Sequence, residues 1–454
     1  MQQASPTPFW LDVRPRPAPA APLDGHVAAD LAIVGGGFTG LWAAVLAKRE
    51  RPDREIVLLE AETAGWGASG RNGGFVDASL THGLVNGASR FPRELDALEA
   101  AGRANLDDLK RDLAALEIDA AWQEPGLLSV ATQPHELADL DEEVALLRRY
   151  GWDAETLDRD AVRAEVASPT YLGAVLQRTG VGLVDPGALA LGLRRAALAL
   201  GVRIYERSPV LTATSAALST PGGSVRADRV VLATGAYKPL TRAIRRLVAP
   251  VYDYVLVTEP LTAEQRGALG WRHGQGIADR GNQFHYYRLT PDGGVLFGGY
   301  DAIYHFGNRV SPALERRAAS FQLLYDHLTA TFPALRGIGI THAWGGPIDT
   351  CSRFCVTFGR ALGGRAVYAV GYTGLGVAAS RFGARTALDL LDGAETDRTR
   401  LKLVRSRPLP FPPEPARWAV IQATRLALAR ADAHGGRRGP WLRLLDRLGL
   451  GFDT

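Results

Sequence analysis

Three glycines constrain this chain more than any other feature. Residues 31–34 are a short apolar run, and Gly35-Gly36-Gly37-Phe38-Thr39-Gly40 follows directly. Residues 41–48 are alanine-rich and favour helix. Residues 55–59 form a second apolar run that ends at Glu60. The order predicts a βαβ unit with a glycine turn between strand and helix. Gly35 permits the tight turn, Gly37 lets a diphosphate approach the backbone, and Gly40 lets the helix sit against the sheet. The helix N-terminus offers unpaired N–H groups and about half a positive charge. Glu60 would accept hydrogen bonds from ribose hydroxyls, and its charge opposes a 2′-phosphate. The pattern points to a dinucleotide other than NADP. A ligand-free glycine turn is the alternative.

Further glycine clusters narrow the ligand. Residues 65–74, Gly-Trp-Gly-Ala-Ser-Gly-Arg-Asn-Gly-Gly, hold five glycines. Such a run is a poor helix, but it can bring N–H groups and small hydroxyls against a second diphosphate segment or a flavin ring. Residues 229–233 read as a strand ending in Thr234-Gly235. Gly371-Tyr372-Thr373-Gly374-Leu375-Gly376 precedes a helix over 377–391. That loop aims a second helix N-terminus at a bound anion. One terminus suits a pyrophosphate and the other suits the electron-rich edge of a reduced flavin. A nicotinamide dinucleotide would not need the second. A surface turn is the alternative for each cluster taken alone.

Elsewhere helical and sheet patterns mix. Residues 91–116, 133–150, 186–200 and 311–331 have helical periodicity, while 126–131, 202–205 and 366–370 read as strands. Residues 251–257 and 284–297 alternate and are rich in aromatics, which suggests antiparallel sheet. Strand, glycine loop and helix at both ends predict an α/β domain interrupted by insertions, with its two ends meeting in space. Five prolines between 408 and 415 mark a connector to a tail, helical over 416–430.

The net charge of +4 invites a nucleic-acid reading, but its distribution weakens it. Residues 396–454 carry 12 Lys and Arg against 5 Asp and Glu, and the first 395 residues carry 40 against 43. On the tail helix Trp418, Ile421 and Leu428 fall near one face, with Arg417 and Arg425 close to it. A docking segment with solvated charges is favoured over membrane or RNA contact. Cys351 and Cys355 give neither a disulfide framework nor metal-finger spacing, and no metal is expected. Without an export signal or a run of 18 apolar residues, the chain is expected to be cytoplasmic with no membrane span.

These residues resemble the FAD-dependent D-amino-acid-oxidase-like superfamily and, within it, the gamma-glutamylputrescine oxidase branch. Residues 34–41, 58–61, 65–74 and 371–377 carry the resemblance, with Tyr286-Tyr287-Arg288-Leu289, Trp344-Gly345-Gly346 and Ser352-Arg353. It implies a two-domain α/β (α+β) fold. A Rossmann-like FAD-binding domain would come from 28–90, 159–239 and 342–395. An inserted antiparallel-sheet substrate domain would come from 91–158 and 240–341, with a basic helical tail over 396–454. FAD would be held by Gly35, Gly37, Phe38, Thr39, Gly40, Glu60, Ala61, Gly67, Ala68, Ser69, Arg71, Asn72, Gly73, Gly74, Val210, Ala233, Thr234, Gly235, Gly346, Gly371, Thr373, Gly374, Leu375, Gly376 and Val377. Relatives that attach flavin through cysteine do so several residues before Cys351, so non-covalent FAD is expected.

Alternation over 284–289 puts Tyr286 and Arg288 on one face and His285 and Tyr287 on the other. The resemblance implies that Tyr286 lies over the flavin near the substrate. Arg288 could offer charge to a distal carboxylate there, Trp344 could wall the pocket, and Arg353 is a further candidate. A Tyr–Arg pair on a half-exposed sheet, and a salt bridge for Arg353, are the bland alternatives. Two departures matter. Amino-acid oxidases of this superfamily commonly clamp the substrate α-carboxylate with an arginine two residues after the glycine of Trp-x-Gly. Here that place holds Ile348, which cannot. Leu375 stands where polyamine-type relatives often have histidine.

The expected reaction is FAD-dependent oxidation of a primary or secondary amine of the gamma-glutamylputrescine or polyamine kind. Hydride would pass to flavin N5, the imine would hydrolyse to an aldehyde, and O₂ or another acceptor would reoxidise the flavin. One alternative is an amino-acid or N-methyl-amino-acid (glycine- or sarcosine-like) oxidase or dehydrogenase that uses Arg288 or Arg353. Another, of a different class, is an FAD-dependent RNA-modification factor with its basic tail on nucleic acid.

Overall fold

The computed structural model describes residues 4–450, so the last four residues of the expected tail lie outside the described residues. Among the described residues the strands form an eight-stranded sheet, a nine-stranded sheet and a two-stranded ribbon. The first sheet starts with the βαβ unit read from the sequence: β1 (Gly25–Val34), α1 (Phe38–Glu50) and β2 (Ile56–Leu59). β1 and β2 are parallel, with Ile33 opposite Leu58. All four residues of β2 are buried, because parallel strands covered on both faces carry apolar side chains throughout. α1 approaches the sheet through Gly40, where a Cβ would stand 1.8 Å from the Gly35 carbonyl oxygen.

α2 (Leu95–Ala115) buries Leu98, Leu106, Leu109 and Leu113, one stripe of its helical period. β3 (Gly223–Leu232) lies beside β1, parallel, with Val231 opposite Ile33. The second sheet is built on β4 (Ala249–Thr258), β5 (His285–Leu289) and β6 (Ile340–Thr350). β4 and β6 pair antiparallel along nearly their whole length, with Asp253 opposite Gly346 and Val251 opposite Ile348. β7 (Ala366–Val370) then returns to the first sheet, parallel to β3. It feeds the glycine turn and α3 (Ala379–Asp392), which packs beside α1. The two ends of the domain therefore meet. The tail follows as α4 (Ala416–Ala433) and α5 (Pro440–Arg447), packed on each other. No helix among the described residues is long and apolar enough to cross a membrane.

Three expected domain boundaries move. Residues 173–177, expected with the first sheet, pair with 127–131 and 154–157 in the second. β6, expected to belong to the first domain from 342 onward, pairs with β4. α2, expected over the second sheet, joins the helical layer of the first: Asn105 Nδ2 donates to the Ala378 carbonyl at 2.9 Å, and Arg381 pairs with Asp112 at 2.6 Å. Ladder partners, not sequence neighbours, decide which sheet a strand joins. Two expected helices are also interrupted. A 3₁₀ turn over Pro134–Leu137, closed by a Gln133/Glu136 capping box, precedes the helix Leu140–Arg149. Pro312–Glu315 likewise forms its own turn before the helix Ala318–Thr331. Proline suits the start of each short turn and lacks the N–H that a longer helix would need there.

Candidate cofactor and substrate site

A cavity of about 990 Å³ runs between the two sheets, within the range of small-molecule sites. Its floor is the glycine turn. The Gly36 N–H donates to Glu60 Oε2 at 2.6 Å and the Glu62 N–H to Oε1 at 2.9 Å. Burial raises the Glu60 carboxyl above its usual range against those two donors. The Phe38 N–H at the start of α1 donates to Ser69 Oγ at 2.8 Å, which ties the second glycine cluster to the helix N-terminus. Thr39 Oγ1 donates to the Tyr372 hydroxyl at 2.8 Å, so the turn before α3 is joined to the start of α1. Asp349 fixes that turn by accepting the Gly371 N–H at 2.7 Å. Burial pushes its carboxyl up to about 6.

Of the residues expected at the cofactor, all border the cavity except Gly40, Gly74 and Gly371. Those three shape it from behind. Gly40 admits the close approach of α1. Gly74 has a positive φ, and a Cβ there would fall 2.2 Å from the Val184 carbonyl oxygen. Gly371, also at positive φ, would place a Cβ 2.9 Å from that of Cys351.

The opposite wall is one face of the second sheet. Alternation turns Val251, Asp253 and Val255 of β4, and Trp344, Gly346 and Ile348 of β6, toward the cavity. Tyr286 of β5 joins them, its hydroxyl donating to Asp253 Oδ2 at 2.6 Å. Its ring lies close over Gly298, where a Cβ would stand 2.7 Å from the ring, and over Gly73, at 2.8 Å. Burial raises Asp253 to about 6, against the pull of the Tyr286 hydrogen bond. Trp344 Nε1 donates to the Arg71 carbonyl at 3.0 Å. Arg71 itself pairs with Glu315 at 2.8 Å and donates to the Gly345 and Trp66 carbonyls.

Two expected pocket arginines stand outside the cavity. Arg288 is buried and donates to the Val184 carbonyl at 2.7 Å beneath the Trp10 ring. It shares the face of Tyr286, but the strand has by then passed under the N-terminal segment, which covers that end. Arg353 is also buried and donates to the Val356 and Leu403 carbonyls at 2.6 and 2.7 Å, and to Ser406 at 3.1 Å. Its guanidinium holds the start of the tail.

With this geometry, residues 30–390 match a family described as FAD dependent oxidoreductase (DAO). The chain belongs to that family. It is 33% identical over 415 residues to gamma-glutamylputrescine oxidoreductase of Escherichia coli (strain K12), covering 87% of this chain and 90% of the relative. It is 26% identical over 358 residues to sarcosine oxidase subunit beta of Rhizobium meliloti (strain 1021), covering 75% and 77%. Its fold matches the crystal structure of glycine oxidase from Geobacillus kaustophilus with a TM-score of 0.67 at 24% identity, over 82% of this chain and 96% of that one.

This family member is thus an FAD-dependent oxidoreductase, and its cavity has features that fit the cofactor. Thr234 Oγ1 and the Tyr237 hydroxyl are buried atoms with no hydrogen-bond partner among the described residues, and both residues border the cavity. At Gly374 and Gly376, just before the second helix, no atom of the described residues lies within 3.4 Å of a built Cβ, so that approach is open. Several cavity residues escaped the sequence reading. Asp253 and Asp349 each had a signal: an acid inside an apolar, aromatic strand. Val420, Ile421, Thr424, Arg425 and Leu428 of α4 also border the cavity. The sequence puts Trp418, Ile421 and Leu428 near one face with Arg417 and Arg425 close to it; of these, Ile421, Arg425 and Leu428 border the cavity and Trp418 and Arg417 do not.

Proposed function

We propose that this FAD-dependent oxidoreductase oxidises a primary or secondary amine that carries no α-carboxylate, of the gamma-glutamylputrescine or polyamine kind. One observation carries the reading: the sheet face bordering the cavity holds a carboxylate, Asp253, beside Tyr286, Trp344 and Ile348, and no cation. An amine suits that face and an α-carboxylate does not. Gly35, Gly37, Phe38 and Ser69 would hold the diphosphate, Glu60 the ribose, and Thr373 to Val377 the flavin edge. Bound FAD, held without a covalent bond, would supply the acceptor for the hydride leaving the amine's α-carbon.

The protein's own part is to bind, orient and move protons. Asp253, charged above about pH 6, attracts the substrate ammonium and accepts its proton, leaving the neutral amine from which hydride can depart. Tyr286 keeps the carboxylate oriented. Trp344 and Ile348 exclude water from the reacting carbon and favour the uncharged amine by desolvation. Hydrolysis of the imine then gives an aldehyde and an amine or ammonia. O₂ or another acceptor takes the electrons.

An amino-acid substrate held through Arg288 or Arg353 finds no support, because both guanidinium groups are spent on backbone carbonyls. The test is anaerobic bleaching of the bound flavin by polyamines, gamma-glutamyl amines and amino acids. Bleaching by the first two groups is expected. Faster bleaching by sarcosine or proline would overturn the reading.

A further inference from the structure

The tail makes one wall of the cavity, although it lies beyond residues 30–390 that the family shares. Ile421, Thr424, Arg425 and Leu428 follow one helical face of α4, and Leu442 of α5 adds to it. Trp418, 43% exposed, is off that wall. The tail is fixed in place by polar contacts. Asp432 accepts the Asn282 and Gln283 N–H groups at 3.1 and 3.0 Å, Arg417 donates to Asn308 Oδ1 at 2.6 Å, and Trp441 Nε1 donates to Thr424 Oγ1 at 3.0 Å.

The other arginines that border the cavity are committed to ion pairs. Arg71 pairs with Glu315 and Arg438 pairs with Asp446 at 2.6 Å, while the lining lysine, Lys238, is exposed to solvent and donates to the Leu211 carbonyl at 3.2 Å. Arg425 is the exception. Its hydrogen-bond partner among the described residues is the Gln422 side-chain oxygen at 3.4 Å, and it forms no ion pair there. Asp432, two turns along α4, is engaged by Asn282 and Gln283. A half-buried guanidinium between Ile421 and Leu428 has, among the described residues, no planar anion of the kind that its donor fork fits best. The sheet wall offers the carboxylate of Asp253, and the tail wall offers this cation. The molecule complementary to both is an amine whose other end is a carboxylate.

We propose that Arg425 is a specificity-determining residue that receives a carboxylate at the far end of the amine substrate. This rests on the amine reading above and names the substrate's second group. The test uses flavin-loaded full-length protein and two ligands that have no amine to oxidise: N-butylglutaramate, which ends in a carboxylate, and its neutral methyl ester. Dissociation constants come from equilibrium dialysis. The wild type should bind the carboxylate at least about tenfold more tightly than the ester, as a charge-assisted bond allows. Arg425→Gln should bind both equally, with ester affinity, flavin content and melting midpoint unchanged. Arg425→Lys should keep part of the preference. A wild type without that preference, or an Arg425→Gln variant that retains it, overturns the proposal. Neither result depends on amine oxidation, so failure of the bleaching assay would overturn only the amine reading.

Discussion

The Tyr286 hydroxyl reaches Asp253 across Gly298, which pairs with Tyr286 on one side and with Val255 on the other. The missing side chain at Gly298 is what lets the ring lie flat between two strands that are not neighbours. The pair sets a pH dependence. Asp253 titrates near 6 because burial disfavours its charge. Flavin reduction by an amine should therefore rise as pH increases through about 6. Asp253→Asn should lose that step and fall about a hundredfold, within the range for a general base. Tyr286→Phe removes a donor that favours the charged form, so the step should move to higher pH. Anaerobic stopped-flow profiles from pH 5 to 8 check all three.

The same carboxyl acts on stability in a stated direction. Its folded pKa is raised, so the folded chain binds a proton that the unfolded chain has lost between about pH 4 and 6. Stability contributed by that proton is complete below about 4 and is lost as pH rises through about 6. Asp253→Asn should flatten this part of the stability–pH curve, as urea titrations would report.

Glycine substitutions should separate shape from chemistry. Gly298→Ala would press a methyl to 2.7 Å of the Tyr286 ring. It should retain flavin and shift the pH step as Tyr286→Phe does. Gly40→Ala would set a methyl 1.8 Å from a carbonyl oxygen that cannot move without opening the turn. It should cost at least about 1–3 kcal/mol and lose flavin on gel filtration.

How much was legible follows from the range of the forces involved. The βαβ turn is local: Gly35, Gly37, Gly40 and Glu60 lie in one stretch, and each has a steric or electrostatic task that its residue type reveals. Alternation correctly put Tyr286 and Arg288 on one face. It could not reveal that the cavity ends between them, because Trp10 and Val184 cover Arg288 from distant parts of the chain. α2 showed its apolar stripe but not its sheet, which Asn105 and Asp112 select through contacts some 270 residues away. Arg425 broke an apolar stripe, and the break was the signal.

Arg288 should therefore behave as structure. Arg288→Met strands the Val184 carbonyl in a buried place and should cost about 2–3 kcal/mol. Relative kcat/KM values across carboxylated and uncharged amines should stay the same. A selective loss with carboxylated amines would return Arg288 to the substrate.

Arg353 should act at a distance, through the tail. Its guanidinium donates to Leu403 and Ser406, while the Ser352 hydroxyl donates to the Leu409 carbonyl at 2.7 Å. These bonds anchor the chain just before it rises over the cavity as α4. Arg353→Ala frees two tail carbonyls from a buried cation, so residues 396–415 should be cut faster by trypsin. The flavin cradle does not involve these bonds, so flavin content and kcat should hold. KM should rise several-fold for every amine, because the whole tail wall loosens. That uniform rise separates it from Arg425→Gln, whose effect should fall only on carboxylate-ended substrates.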